Sequence, residues 1–184
     1  MANSWMAWLN GLNAVLFTKE GLPQPNIIFH IADAMSTPVG TTRGGMLFYR
    51  PEGDEKPRIA AFVAEDERVG RFLGPNLFQG TPFENAPVVK ARMRLGFMYP
   101  KSAMAIVEAG GDRFELELAD FGEAAFAERA PSAEVPYTRS GMEAAAKRAV
   151  FKFNGVAVPV VVPPAGPGGS PPVCFAPGGV YRRT

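Results

Sequence analysis

One cysteine and one histidine occur in this chain, and both scarcities close off chemistry. With Cys174 alone there can be no internal disulfide and no multi-cysteine zinc site, so a reducing setting, the cytoplasm or the inside of an assembled particle, is expected. With His30 alone, one subunit cannot build a metal site from several imidazoles or run a mechanism that needs two of them. Net charge is also small. The 19 Lys and Arg side chains against 18 Asp and Glu leave +1, so no global field draws the molecule to nucleic acid or to an anionic membrane. Neither is expected as a partner.

Long apolar runs are absent too. Met1 to Thr18 carries no charged residue, but Asn3, Asn10, Gly11 and Asn13 interrupt it well short of the ~20 apolar residues that a spanning helix needs. No basic leader precedes it, so neither a transmembrane segment nor a cleavable secretory signal is expected. P-loop, dinucleotide fingerprint, HExxH, EF-hand and GxSxG patterns are all missing. The sequence therefore assigns no catalytic residue, no cofactor and no metal ligand.

What the chain has in quantity is glycine and proline, 20 and 18 of 184 residues. That composition predicts many turns and short elements, and favours strands over long helices. The expected fold is mainly β, an antiparallel sandwich or barrel built from hairpins, with one N-terminal helix; α+β is the variant. Residues 1–21 form the expected helical segment, 22–162 the β domain, and 163–184 an extended Pro/Gly-rich arm.

The helix expectation rests on Trp5, Trp8, Leu9, Leu12 and Leu16 at helical spacing, with Asn3 or Ser4 as N-cap and Gly21 past the end. Three hairpins follow. Met46 to Arg50 and Arg58 to Ala64 flank a polar turn, and Ala103 to Glu108 and Arg113 to Ala119 flank Ala109-Gly110-Gly111-Asp112. Val150 to Phe153 and Val156 to Val158 bracket Asn154-Gly155, whose residues both tolerate positive φ. Between them, Pro87 to Tyr99 alternates cleanly: Ala91, Met93, Leu95, Phe97 and Tyr99 on one face, Lys90, Arg92 and Arg94 on the other. A charged helical turn is expected over Glu65 to Phe72, and a short helix after the capping-box match Ser140-Gly141-Met142-Glu143. Met35 to Gly45 is expected to be a flexible loop. Half of the residues from Pro163 to Thr184 are Pro or Gly, which argues against helix or sheet there.

Polar residues that could meet a ligand or an anion are few: His30, Arg43, Lys90, Arg92 and Arg94. His30 and Asp33 are close enough in sequence for an acid-base pair, although a histidine within Ile-Ile-Phe-His-Ile more often serves structure. The terminal segments carry apolar anchors, Trp5, Trp8 and Leu12 at the start and Val173, Phe175, Val180 and Tyr181 at the end. From these the expected role is a non-enzymatic assembly subunit, as in a virion shell or tail, whose termini bind other protein subunits. The alternative is a small-ligand-binding β-barrel protein or enzyme, with His30, Arg43, Tyr49 or Arg92 as polar contacts.

Overall fold

The structure, a computed structural model, describes residues 4–132 and 135–183. Its elements in chain order are β1 (Ser4–Leu16), β2 (Ile27–Thr37), β3 (Gly40–Tyr49), β4 (Ile59–Ala64), α1 (Glu67–Leu77), β5 (Val88–Met98) and β6 (Ser102–Ala109). They continue with β7 (Asp112–Phe121), β8 (Ala125–Arg129), β9 (Thr138–Phe153), β10 (Val156–Val158) and β11 (Val173–Arg183). All three expected hairpins are present, as β3–β4, β6–β7 and β9–β10. At the last, Asn154 and Gly155 adopt φ of 50° and 79°, the mirror-image turn whose twist suits antiparallel strands.

Neighbouring strands run in the order β9-β11-β1-β2-β3-β4-β5-β6-β7, and β7 pairs back onto β9, so the sheet closes on itself as a barrel. Every pairing is antiparallel except β4–β5, which α1 connects as a crossover. Closure works because β9 is long: Thr138 to Ala145 pairs with β11, and Ala146 to Phe153 pairs with β7. β8 and β10 add short strands to the edges of β9 outside the ring. The interior is filled by side chains from all nine ring strands, among them Leu12, Phe29, Leu47, Val63, Met93, Val107, Phe114, Phe151 and Phe175. It is a packed core, with Tyr49 edge-on to Phe151 at 5.2 Å between ring centres.

Several expectations are corrected. The N-terminal segment is a strand, β1, lying between β2 and β11. Its even-numbered residues Met6, Trp8, Leu12, Ala14 and Leu16 are buried, so the same apolar residues fit a two-residue period, and Asn10, Gly11 and Asn13 are poor helix formers. Ser4 pairs with Arg183 instead of capping a helix; Asn3, the other candidate cap, is outside the described residues. The C-terminal stretch is not a free arm. After a 3-10 turn at Pro167–Gly169, β11 occupies a central place between β1 and β9, where two neighbours supply the hydrogen bonds that its own composition would not secure. Ser140 to Ala146 belongs to β9 and starts no helix, because Ala144 points into the barrel and the backbone is claimed by β8 and β11. Gly40 to Gly45 is part of β3, hydrogen-bonded to β2. The helical turn at Glu65 to Phe72 extends to Leu77, with Asp66 capping its start through a 2.9 Å bond from Arg68 N–H.

One irregularity shapes the outside of the barrel. In β1, Leu12, Ala14 and Leu16 point inward, whereas Met6 and Trp8 belong to a second cluster on the outer face. The switch falls at Asn10, whose φ is 51°. Beside it the registers slip between Ala32 and Met35 on β2 against β3, and between Phe175 and Gly178 on β11 against β9. Three adjacent strands thus bend along one line. The second cluster sits in the resulting hollow, where Val69, Leu73 and Leu77 of α1 meet Met6, Trp8, Ala32, Met35, Phe62 and Tyr137.

Candidate functional site

Between α1 and the bent sheet the hollow is incompletely filled, leaving a cavity of about 240 Å³. Its floor is the outer face of β11, β1, β2 and β3, where one row of register partners reads Cys174, Asn13, His30, Met46. Two polar residues in strands otherwise rich in apolar ones need partners, and they find each other: His30 Nδ1 lies 2.8 Å from Asn13 Oδ1. Asn13 Nδ2 turns toward Cys174 Sγ at 3.8 Å. Because the amide donates to sulfur, its oxygen is left to accept, which puts the proton on Nδ1 and leaves Nε2 as a lone pair. Nε2 has no hydrogen-bond partner among the described residues, and His30 lines the cavity. Burial, reinforced by the positive charge of Arg139, lowers the His30 pKa to about 4, so the ring is neutral at pH 7.

Backbone without side chains lets the neighbouring strands approach closely beside His30. A Cβ on Gly45 would stand 1.8 Å from the His30 carbonyl oxygen, and one on Gly44 would stand 2.8 Å from that of Val63. Gly141 and Gly179 likewise let the Trp8 indole pack against their backbone; a Cβ on Gly179 would come within 2.2 Å of the ring. Trp8 also stacks at 4.5 Å on Tyr181, which in turn lies 4.6 Å from Tyr137. The opposite wall is apolar, with Phe62, Leu73, Phe78 and Phe83 facing Met35 and Met46.

At the polar end Arg139 lines the cavity and belongs to a charged trio that reaches beyond it. Glu143 holds Arg129 through both carboxylate oxygens at 2.9 and 2.8 Å. Arg139 is more distant, its Nε 3.9 Å from Glu143 Oε1, and that Nε is buried with no hydrogen-bond partner among the described residues. Its Nη2 reaches the carbonyl oxygen of Pro167, at 3.5 Å, and the Tyr181 hydroxyl lies beside the guanidinium. Trp8 Nε1 is a second buried donor without an acceptor among the described residues. Among the described residues, this end of the cavity is rich in donors and short of acceptors.

Cysteine, histidine and asparagine together invite comparison with a thiol hydrolase, but the order is wrong. Asn13 separates the thiol from the imidazole, so His30 cannot take the proton. Burial and the neighbouring Glu143 push the Cys174 thiol up to about 12. Ser170 donates its hydroxyl to the Pro167 carbonyl oxygen at 2.8 Å. The arrangement does not activate the Cys174 thiol. Among the described residues no group of three or more His, Cys, Asp or Glu side chains is placed to hold a metal ion, and no helix is long and apolar enough to cross a membrane.

The residues singled out from sequence fare unequally. His30, Trp8 and Tyr181 do line the cavity. Arg43 is exposed and held by Asp33 at 2.8 Å, which raises its pKa and removes Asp33 from any pairing with His30. Lys90, Arg92 and Arg94 lie on the solvent face of β5, remote from the cavity lining, and Arg94 faces Glu108 on β6 at 3.9 Å, with Glu115 and Glu117 one strand further away on β7. Tyr49 is inside the barrel. Leu12, Val173 and Phe175, expected to touch a partner, are buried in that same core, and Val180 is half-buried in β11 opposite Ser140 and Ala7. Trp5 alone of that set is exposed, at 37%. Sequence reasoning missed Asn13, Tyr137, Arg139 and Glu143. Asn13 carried a signal, a polar residue alternating with buried apolar ones as His30 does; Glu143 lay in the expected capping box and Arg139 just before it. Compared with family models, characterised proteins and solved structures, the chain matches none.

Proposed function

We propose that the protein binds a small, mostly apolar molecule in the cavity between α1 and the outer face of the barrel. The carrying observation is the contrast between a barrel interior packed with side chains and a hollow beside it that converges several polar groups on unfilled space. An apolar cavity of about 150 Å³ admits benzene, so the volume here suits roughly ten non-hydrogen atoms. The assembly role expected from the termini has less support: both terminal segments are spent on the barrel's own ring, and their anchors are mostly covered.

Trp8 on the cavity wall provides the readout. In a Trp5→Phe background, its fluorescence is titrated with alkanols and alkanoic acids of about six to ten carbons. A saturable change is expected, and Ala32→Leu, which pushes a larger side chain into the cavity lining, will abolish it. No saturable response to any member of the series would refute the reading.

A further inference from the structure

Resting on that reading, we infer that the ligand carries a carboxylate and that Arg139 is the residue that receives it.

The argument is one of charge and of donors. Among the described residues, Arg139, which lines the cavity, shares a single carboxylate, that of Glu143, with a second guanidinium, that of Arg129. The side chains of Arg129, Glu143 and Arg139 are only 20%, 11% and 13% exposed, so water screens them weakly. Glu143 spends both oxygens on Arg129, which leaves Arg139 with a long carbonyl bond and an orphaned Nε. Among the described residues Arg139 has no counter-ion of its own, and a largely buried cation in that position is costly unless an anion joins it. The neighbouring titratable groups among the described residues do not supply one. His30 is neutral, and burial keeps Cys174, Tyr137 and Tyr181 protonated at pH 7.

Two further features set the class of ligand. A guanidinium presents paired donors that match the two oxygens of a carboxylate better than they match a hydroxyl. Away from Arg139 the cavity is walled by Met35, Phe62, Leu73 and Phe78, a lining for hydrocarbon. The molecule that satisfies both ends is an alkanoate or arylalkanoate whose acid group lies against Arg139 and whose tail runs toward α1.

Octanoate and 1-octanol separate this inference from the broader one, since they share a chain and differ in the head. Calorimetric titration of the full-length protein at pH 7 is expected to give octanoate an affinity about tenfold or more above that of 1-octanol, the gain typical of charge-assisted hydrogen bonds. Arg139→Gln will erase that preference while leaving 1-octanol within about twofold, and Arg139→Lys will keep part of it. Circular dichroism confirms that each variant is folded, and the comparison in the unaltered protein stands even if one is not. Equal affinity for the two probes, or a preference that survives Arg139→Gln in folded protein, overturns the role of Arg139 and leaves the apolar cavity in place. Failure of both probes to bind overturns the two readings together.

Discussion

Lowering the pH from 7 to 4 will destabilise the protein through one identifiable ring. In the folded state the His30 pKa is lowered to about 4, against 6.5 for an unperturbed imidazole. Above pH 6.5 both folded and unfolded chains hold the ring neutral, and the site contributes no pH dependence. Between 6.5 and 4 the unfolded chain takes up a proton that the folded chain refuses, so stability falls as the pH falls; below 4 both states are protonated and the loss is complete. At 1.36 kcal/mol per unit, the difference amounts to about 3 kcal/mol, an upper figure because the ring borders a cavity that can admit water. His30 is the only histidine, so its Cε1 proton resonance is unambiguous and can be followed by NMR titration. Urea denaturation of the native protein and of His30→Gln across the same range isolates the stability term, since the carboxylates contribute equally to both. A resonance that titrates near 6.5, or parallel stability curves for the two proteins, would refute the burial and the neutral tautomer derived from it.

Other outcomes follow from the packing. Gly179→Ala forces a methyl group against the Trp8 ring and will cost about 1–3 kcal/mol in urea denaturation, with a red-shifted Trp8 emission; unchanged stability would mean that the indole does not lie over that backbone. Phe114→Ala empties the centre of the barrel and will cost about 3–5 kcal/mol, while Phe126→Ala, on an outer strand at 66% exposure, will stay within about 0.5 kcal/mol. Deleting residues 173–183 removes a ring strand, and circular dichroism will show loss of the fold; a folded, truncated barrel would restore the free-arm view of the C-terminus. Cys174 will resist a thiol-specific disulfide reagent in native buffer and react at once in urea, whereas rapid native reaction would contradict its burial.

How far residues reveal structure here depends on how local the cause is. The turns at Pro51 to Pro57, Gly110-Gly111 and Asn154-Gly155 follow from what those residues permit to their own backbone, and the hairpins around them were legible. So was β5, because strict alternation of Ala91 and Met93 with Lys90, Arg92 and Arg94 admits only a strand with one buried face. Segments whose state depends on distant neighbours were not legible. Residues 5 to 16 satisfy a helical period and a strand period alike, and the choice is made by β2 and β11 on either side. β11 is rich in glycine and proline and has little intrinsic reason to be a strand; it becomes one because closure of the ring needs its backbone between β1 and β9.

The same division runs through the site. Composition by itself determined a turn-rich β protein with no multi-cysteine or multi-histidine chemistry, and His30 stood out as a polar residue in an apolar strand. Only the tertiary structure set Asn13 beside His30, brought Arg139 and Glu143 to the same end, and bent three strands at Asn10 to open the hollow. Turn geometry is written within a few adjacent residues, whereas a cavity is the space that distant segments fail to fill, and no one of those segments encodes it alone.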